Sequence, residues 1–304
     1  MTEIAAAPVV THDAIGARRR KTLRRFGLHA FLIGISLIWL LPLAWAVYTS
    51  FRPFEETNRL GYVSIGGNYN LNNFVKAFTQ ADLPHYYLNT LIIVIPAMVL
   101  VLLFASMVAF AVSRYSFRFN LALLMLFTAG NLLPQQVVIV PLFRLFNMIP
   151  LPALLSDKSG TMYDSVLGII LIHVAFQLGF CTFVLSNFMK TIPKELNEAA
   201  VVDGANVWTT YWSVILPLTR PALAALATLE FTWIYNDFFR AYLLMGTGSK
   251  LPITSALSNL KGLFFQDNNL LAAGSLMVAL PTLIVYFALQ KHFVAGLTLG
   301  STKG

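Results

Sequence analysis

Charged residues are scarce in this sequence. Asp, Glu, Lys and Arg together make up only 11% of the 304 positions, whereas a soluble domain carries about 25% charged residues. Hydrophobic residues account for 57%, and the mean hydropathy is +0.70. So low a charge content excludes an ordinary soluble domain, and the composition is typical of membrane proteins.

Cysteine and the common catalytic motifs are scarce as well. The single cysteine, Cys181, lies in an apolar run and excludes an intrachain disulfide framework. We interpret it as a small packing residue. The five histidines lack the spacing of a metal site. No Walker A motif occurs, since GTGSK at 246–250 lacks its spacing. The sequence therefore predicts a chain that is not an enzyme and has no metal or cofactor of its own.

The net charge is +8, but the basic residues lie beside apolar segments rather than along one face of a soluble domain. This placement is typical of membrane-orientation signals and argues against a nucleic-acid partner. Six Lys and Arg residues fall within 1–27, which we predict to be a flexible cytoplasmic tail. A cleaved signal peptide is the alternative, but the apolar run that follows is too long and lacks a small-residue cleavage site.

Six apolar segments approach the length of about 20 residues that a hydrocarbon core requires. Because backbone polar groups have no water partners in lipid, such segments satisfy them only as helices. We therefore predict an all-α, polytopic membrane protein with a transmembrane domain over 28–294 and a short cytoplasmic tail over 295–304. The six predicted membrane helices are 28–48, 88–112, 121–140, 166–189, 222–245 and 270–290.

The distribution of basic residues predicts the orientation of the chain. Six crossings place both termini on one side, and 13 of the 21 Lys and Arg residues fall on the side of the amino-terminal tail. Because Lys and Arg accumulate in cytoplasmic segments, we predict a multi-pass plasma-membrane protein with both termini in the cytoplasm. The loop at 190–220 then faces the cytoplasm as well.

The predicted outer loop between the first and second membrane helices, 51–87, contains a short amphipathic stretch at 71–78. Its apolar positions 71, 74, 75 and 78 fall on one face of a helix. This pattern predicts a small helix that either caps the outer mouth of the protein or lies against the lipid interface.

A polar stretch at 198–217 interrupts the apolar segments. Pro193 suits the first position of a short helix, because the N–H that it lacks has no partner there. Gly204 is typical of the left-handed residue that ends a helix. A second short helix, about 206–216, runs up to Pro217, which cannot continue it. The sequence predicts a compact unit, the knob, made of helix, glycine turn and helix and exposed to water. Such a unit in a membrane protein indicates a partner that binds it.

This knob resembles the EAA loop of permease subunits of ATP-binding-cassette (ABC) importers. Glu198-Ala199-Ala200 is followed by three residues, then Gly204, then nine residues, then Val214-Ile215-Leu216-Pro217. Val214 stands where the family usually has Ile. In that family the loop is a coupling helix that docks into a cleft on a separate ATPase subunit. The coupling residues that the resemblance implies are Glu198, Ala199, Ala200, Asp203, Gly204, Leu216 and Pro217.

The resemblance also implies a role for individual residues of the knob. Glu198 is expected to supply a charged contact to the ATPase, Ala199 and Ala200 a small surface that allows close approach, and Gly204 the turn between the two helices. An ordinary solvated pair of cytoplasmic helices with a glycine turn is the alternative.

Other stretches resemble the second permease of carbohydrate importers related to the maltose system. The resemblance implies a heterodimer with a second homologous permease, two ATPase subunits that use ATP and Mg, and an extracellular solute-binding protein that delivers a sugar. The glycine-rich carboxyl end also reaches the ATPase interface in relatives. The stretches are Asn89-Thr90-Leu91, residues 111–117, 133–137 and 192–196, Asn236-Asp237-Phe238, and the carboxyl end from residue 293.

The third predicted helix contains two prolines, Pro134 and Pro141, and three amide side chains at membrane depth. Because proline removes a helical hydrogen bond, we predict a kink or an interruption there. The amides of Asn131, Gln135 and Gln136 either line a polar path for substrate or form structural bonds between helices.

The fifth predicted helix carries two carboxylates, Glu230 and Asp237. A charge at membrane depth is costly, so each is expected to face a bundle interior or a wet cavity. Glu230, Trp233 and Asp237 share one helical face. Together with Asn236 they offer the aromatic plane and the polar acceptors that a sugar ring requires. We take these four residues as candidates for the substrate path, with structural pairing as the alternative for the carboxylates.

Two other functions stay open at this point. Glu230 makes a proton-coupled secondary transporter the alternative from another class. An ABC importer for a phosphorylated polyol needs a cationic site, and no Lys or Arg lies deep in the predicted helices.

In the fourth helix His173 and Gln177 share a face, where we expect a structural bond between helices rather than a ligand contact.

Overall fold

The computed structural model describes residues 12–130, 134–152, 155, 160–260 and 267–298, which are almost entirely helical. Thirteen α-helices follow one another along this described part, with a π-helical segment (Thr210–Ile215) between α9 and α10. The helices are α1 (His12–Ser50), α2 (Phe54–Leu60), α3 (Asn72–Gln80), α4 (Leu83–Arg114), α5 (Asn120–Ala129), α6 (Gln135–Met148), α7 (Val166–Thr191), α8 (Glu195–Val202), α9 (Val207–Thr209), α10 (Leu216–Tyr235), α11 (Phe239–Leu244), α12 (Ile253–Ala256) and α13 (Asn268–Thr298).

Five helical stretches are long and apolar enough to cross a membrane, which confirms the predicted all-α membrane fold. The third predicted helix, 121–140, is instead divided between two shorter helices. α5 ends at Ala129, the Pro134 backbone is not helical (φ −59°, ψ 130°), and α6 begins at Gln135. Pro134 therefore interrupts the helix, as its position predicts. The five long stretches are Leu23–Ser50, Leu83–Arg114, Val166–Thr191, Val207–Tyr235 and Asn268–Gln290.

The fifth membrane helix has different bounds from those predicted. The sequence pattern predicts 222–245, whereas the helical span runs from Val207 to Tyr235. The helix ends there because Asn236 folds back onto it, with its side-chain amide donating to the Thr232 carbonyl oxygen at 2.8 Å. The remaining predicted positions form a short loop and α11.

Helix α1 begins well before the predicted membrane segment. Its backbone is helical from His12 and continues without a break to Ser50. The structure thus differs from the flexible tail predicted over 1–27. Residues 12–27 contain no proline and include five Arg and one Lys, which favour helix formation. Residues 1–11 and 299–304 of the predicted tails lie outside the described part of the chain.

The core of the protein forms where α4 packs against α7 and where α10 packs against α13. Helix α4 presents a completely buried stripe in which Ala97, Val101, Ala105 and Ala109 are spaced four residues apart. Small side chains at this spacing let membrane helices approach closely. Cys181 on α7 is also completely buried, in agreement with its predicted packing role.

Asn89 and Thr90 hold an outer loop against the start of α4. The Asn89 side-chain amide donates to the carbonyl oxygens of Ser249 and Leu251 at 2.7 and 3.1 Å. The Thr90 hydroxyl accepts the Ile253 N–H at 2.8 Å. The GTGSK stretch at 246–250 is therefore part of a docked structural loop, and the Asn89-Thr90 motif has a structural role at the outer end of α4.

Helix α3 confirms the predicted amphipathic helix, and the face that packs inward is the more polar one. Its buried residues are Asn73 and Ala77. The Asn73 amide donates to the carbonyl oxygens of Ser50 and Arg52 at 2.9 and 2.8 Å. Because these carbonyl groups at the end of α1 need a donor, a polar side chain is drawn inward. The outward face fits the predicted alternative of a helix against the lipid interface, and its exposed residues are Leu71, Val75 and Phe78.

Candidate coupling site and translocation path

The knob at 195–217 contains the turn that the sequence predicts. Helix α8 ends at Val202 and is followed by Asp203 and then Gly204, whose φ of +84° is left-handed. The Ala205 N–H donates to the Ala200 carbonyl oxygen at 2.9 Å, and the Gly204 N–H donates to the Val201 carbonyl oxygen at 3.0 Å. The two bonds form a Schellman motif, which satisfies the last carbonyl groups of the helix.

The second half of the knob continues into the membrane without a break. Asn206 caps its start, because its side-chain oxygen accepts the Thr209 N–H at 2.9 Å. The prediction that Pro217 ends this helix is wrong, since one helical rod runs through Pro217 to Tyr235. The π-helical segment stands just before Pro217. A π turn is wider than an α turn and shifts the hydrogen bonding that a proline ring disrupts. The knob and the fifth membrane span are therefore one element.

The outer surface of the knob is partly apolar. Charged and small residues are exposed beside two valines, and 86% of the Val202 surface is accessible in this chain. Exposed apolar side chains next to charged ones are typical of a surface that a partner covers. The exposed residues of this docking surface are Glu198, Ala199, Val201, Val202 and Asp203.

Ala200 does not belong to this docking surface. Its side chain is buried, and α8 packs against the π-helical segment. Ala199 and Ala200 are expected to form a small outer surface together. Only Ala199 is exposed, so Ala200 does not contribute to that surface. Leu216 and Pro217 are half-buried at the base of the knob, where they belong to the rod rather than to its outer face.

Arg114 fastens the end of α7, just before the knob, to the end of α4. Its guanidinium donates to the carbonyl oxygens of Met189 and Ile192 at 2.9 and 3.0 Å. These carbonyl groups lie at the end of α7, where a helix leaves its last acceptors without partners. Pro193 follows directly and precedes α8 rather than occupying its first position. The chain therefore enters the knob from a fixed corner between α4 and α7.

Glu230 lies between α10 and α7 with none of its surface exposed. The Cys181 thiol donates to Oε1 at 3.0 Å, and Oε2 has no hydrogen-bond partner within the described ranges. Trp233, by contrast, is 45% exposed, and its ring meets the Phe180 ring edge-on with 5.2 Å between centroids. Of these two candidates for the substrate path, only Trp233 presents a surface that a substrate can touch in this chain.

Asp237 joins a buried cluster with His173 and Arg240. The Asp237 Oδ2 atom lies 3.3 Å from His173 Nε2 and 3.4 Å from Arg240 Nη1, which is itself 3.3 Å from His173 Nδ1. Because a guanidinium only donates, His173 accepts at Nδ1 and donates from Nε2 to the carboxylate. The guanidinium also lies over the Phe176 ring at 5.1 Å. His173 thus forms the interhelical bond that the sequence predicts.

Arg240 is the member of this cluster that the sequence analysis does not identify. It is only 6% exposed, although its position near the outer end of the predicted fifth helix, 222–245, suggests a solvated charge. The signal that identifies it is its spacing of three residues from Asp237, a separation at which two side chains meet on a helical turn. Because Asp237 neutralises it, Arg240 does not offer the free cationic site that a phosphorylated substrate needs.

The amide candidates occupy different environments. Asn131 lies outside the described residues, and Gln135 is described only as the first backbone position of α6. Gln136 is exposed near the proline break. Asn236 is exposed at the outer end of α10, where its amide bonds the Thr232 carbonyl oxygen. The exposed candidates for the path are therefore Gln136, Trp233 and Asn236.

Comparisons with known proteins place these features in a family. The family described as binding-protein-dependent transport system inner membrane component matches residues 101–298. A probable ABC transporter permease protein of Pyrococcus horikoshii is 31% identical over 280 residues, which cover 90% of this chain and 97% of that protein. The diacetylchitobiose uptake system permease protein NgcG of Streptomyces coelicolor is 30% identical over 285 residues, covering 92% of this chain and 90% of NgcG.

The fold is also similar to that of a solved structure. A chain of a bacterial ABC transporter involved in the import of the acidic polysaccharide alginate superposes with a TM-score of 0.74 at 21% sequence identity, over 94% of this chain and 100% of that chain. The family match spans α7, the whole knob and the α10 rod. The chain therefore belongs to the family of binding-protein-dependent transport system inner membrane components.

Proposed function

We propose that this chain is a permease subunit of an ABC importer for sugars, in which it forms half of the translocation path and couples to a separate ATPase through the knob at 195–217. Membership of the family makes the chain a transport subunit rather than an enzyme. The observation that carries the coupling proposal is a structured knob with an exposed, partly apolar surface at the end of a rod that crosses the membrane.

The proposed coupling follows from the continuity of this rod. Helix α8 docks in a groove of the ATPase, with Glu198 as its charged contact and Val202 covered by the groove wall. Arg114 and the Schellman turn at Gly204 hold the docked helix at a constant angle to the membrane helices. Movement of the groove is then carried into the bilayer as rigid-body movement of the helices rather than absorbed in a loose loop.

The proposed importer contains further chains. Two ATPase subunits bind ATP and Mg, and this chain binds neither. A second homologous permease completes the path, and an extracellular solute-binding protein delivers the substrate. The description of the family as binding-protein-dependent supports this arrangement. The lipid bilayer is the remaining partner, and nucleic acid has no part in it.

The orientation that we propose places both termini and the knob in the cytoplasm. The excess of Lys and Arg on the side of the amino-terminal segment supports it. The same orientation puts the loop at 246–253, held by Asn89 and Thr90, on the outer side. The ATPase and the solute-binding protein then approach opposite ends of α4.

We propose a mono-, di- or oligosaccharide as the substrate. The relatives named for diacetylchitobiose and alginate support this class. Trp233 offers an exposed aromatic plane on which the apolar face of a sugar ring can stack, and Gln136 and Asn236 offer exposed amides for its hydroxyl groups. The buried Glu230 and Asp237 fit structural pairing between helices better than direct contact with substrate.

Trp233→Ala tests this assignment. We expect it to raise the KM of sugar uptake several-fold, since stacking on an aromatic plane is lost, while the complex still assembles. Trp39→Ala is the control, because Trp39 is also an exposed tryptophan but lies on α1 at the periphery. Equal KM values for the two variants would remove Trp233 from the path.

The alternative of a proton-coupled transporter makes an opposite prediction about Glu230. Glu230→Gln keeps the shape of the side chain but cannot release a proton. In an ATP-driven importer we expect uptake to continue in this variant and to persist under an uncoupler when ATP is held constant. Loss of uptake in Glu230→Gln, together with loss of uptake in the parent chain under an uncoupler, would favour the proton-coupled alternative.

Purification of the tagged chain in mild detergent from its native membranes tests the proposal as a whole. We expect an ATPase, a second permease and a sugar-loaded binding protein to accompany it, and the retained sugar identifies the substrate. A chain that emerges alone, with a crosslinker at Glu198 that captures no ATPase, would contradict the proposal.

A further inference from the structure

The π-helical segment of the knob carries a buried tyrosine. Tyr211 is only 2% exposed, although the nearby Trp208 and Trp212 are exposed. Its ring lies 5.3 Å from the Phe110 ring on α4, and 5.1 Å from the Trp212 ring, centroid to centroid. Tyr211 therefore points from the base of the knob into the packing against α4.

The Tyr211 hydroxyl meets a single polar partner on α4. Its oxygen lies 2.7 Å from the Ser106 Oγ atom, and Ser106 is itself 1% exposed. The Ser106 hydroxyl also lies 2.8 Å from the Leu103 carbonyl oxygen, to which it donates its one proton. Both contacts are satisfied at once when Tyr211 donates to Ser106 and Ser106 donates to the Leu103 carbonyl oxygen. The bond joins the knob directly to the helix that also holds the outer loop.

Ring packing and the hydrogen bond together hold Tyr211 in this position. Tyr211 is 2% exposed and its ring packs against Phe110, Trp208 and Trp212, so only its edge borders a groove of about 190 Å³ between α4 and the knob. The bond to Ser106 is directional and adds an orientation that apolar packing by itself does not impose. The groove is lined by Met107, Phe110, Ala111, Tyr115, Val207, Trp208 and Tyr211.

We propose that Tyr211 is a positioning residue for coupling, and that its bond to Ser106 fixes the angle between the knob and α4. The inference rests on the proposed function, since it names the contact through which movement of the docked knob reaches α4. The continuous rod moves α10 directly. The bond between the Tyr211 and Ser106 hydroxyl groups makes α4 move together with α10. The loop that Asn89 and Thr90 hold then moves with α4.

Electron paramagnetic resonance distances on the full-length chain test this geometry. Spin labels at Leu196→Cys on α8, outside the docking surface, and at Leu88→Cys near the outer end of α4 occupy exposed positions, while the native Cys181 is buried. We expect one narrow distance distribution, unchanged by ATP and vanadate in the assembled complex. In Tyr211→Phe, which removes only the hydroxyl, we expect the distribution to widen about twofold or more.

The coupling ratio gives the functional readout. We expect Tyr211→Phe and Ser106→Ala each to lower the sugar taken up per ATP by about fivefold, the effect of one buried hydrogen bond, while ATPase binding stays normal. The sugar is the one that the binding protein retains on purification. Because both variants remove the same bond, the double variant should be no worse than either single variant.

Tyr115→Phe is the matched control. Tyr115 lines the same groove, but its side chain is exposed, so we expect neither the distance distribution nor the coupling ratio to change. The proposal is overturned if Tyr211→Phe keeps both the distance distribution and the coupling ratio of the parent chain, or if it loses ATPase binding instead of coupling. It is also overturned if Tyr115→Phe has the same effect as Tyr211→Phe. The same holds if the losses of coupling in Tyr211→Phe and Ser106→Ala add in the double variant. Absence of any ATPase from the parent complex would contradict the proposed function instead, and the distances in the isolated chain would still test the geometry.

Discussion

The Ala205 N–H donates to the Ala200 carbonyl oxygen across 2.9 Å, and this bond closes the turn of the knob. It forms because Gly204, between them, adopts a φ of +84°. A Cβ atom at Gly204 would meet no other atom within 4 Å. Backbone conformation rather than lack of space therefore requires glycine here, and the turn sets the direction in which α8 leaves the rod.

Substitution of Gly204 separates these two explanations. A β-branched residue in the left-handed region is disfavoured by roughly 1–2 kcal/mol, whereas Asn adopts this conformation more readily. We expect Gly204→Val to weaken ATPase capture and sugar uptake, and Gly204→Asn to preserve most of both. Copurified ATPase, measured per permease, checks the prediction. Normal docking and uptake in Gly204→Val would count against a coupling role for this turn.

Ala199 and Ala200 are adjacent but have opposite environments, so enlarging them is expected to have different effects. Ala199→Leu adds bulk to the exposed surface and should reduce ATPase binding without changing the thermal stability of the chain in detergent. Ala200→Leu overpacks a buried site, which typically costs about 1–3 kcal/mol, and should lower the melting temperature. Identical behaviour of the two variants would show that the knob packs differently from this account.

The Asp237–Arg240 pair is expected to contribute to the stability of the outer half of the bundle. Removing one partner of a buried ion pair leaves the other charge uncompensated, at a cost of roughly 3–5 kcal/mol. We expect Arg240→Gln and Asp237→Asn each to lower the melting temperature in detergent, and the double variant to recover part of the loss. Arg118→Gln, at an exposed position, is the control. A double variant as unstable as the sum of the singles would contradict the pairing.

The carboxylate of Asp164 holds the outer loop at 246–250. It accepts the Thr247 N–H at 2.9 Å and the Thr247 hydroxyl at 2.6 Å, and its Oδ2 atom lies 3.7 Å from Lys250 Nζ. Burial alone would raise the pKa of this carboxyl, but the bonds from Thr247 and the Lys250 charge outweigh burial and hold the pKa below its ordinary value.

The lowered pKa of Asp164 predicts the pH dependence of this loop. Because the folded chain binds the proton less readily than the unfolded chain, the stabilisation is complete above the ordinary carboxyl pKa, about 3.9. It is lost as the pH falls through the lower pKa of the folded state. We expect Asp164→Asn to lower the melting temperature at neutral pH and the difference from the parent chain to shrink in acid. A difference that is independent of pH would rule out the carboxylate as its source.

Local patterns in the sequence predicted the elements that depend on local chemistry. The left-handed stop at Gly204 and the interruption at Pro134 each depend on a few neighbouring residues. The long apolar segments predicted the membrane helices for the same reason, because length and composition decide whether a segment spans lipid. The proposed coupling surface was inferred from the resemblance of the knob residues and their spacing to the EAA loop.

Features that depend on tertiary packing could not be predicted in this way. Pro217 is a helix breaker by its chemistry, but a π-helical segment accommodates it within a continuous rod. The inward face of α3 is set by carbonyl groups at the end of α1, far away in sequence from Asn73. Burial of Arg240 depends on His173 in another helix. In each case the deciding partner lies outside the window in which periodicity is read.

Crosslinking from the exposed tip of the knob tests the central claim most directly. Val202→Cys carries a short photoactivatable crosslinker in native membranes, and Val63→Cys, also exposed but in the outer loop, is the control. The account predicts an ATPase adduct from Val202 and none from Val63. No ATPase adduct from Val202, or equal capture from Val63, would contradict the proposal that this knob couples the membrane helices to an ATPase.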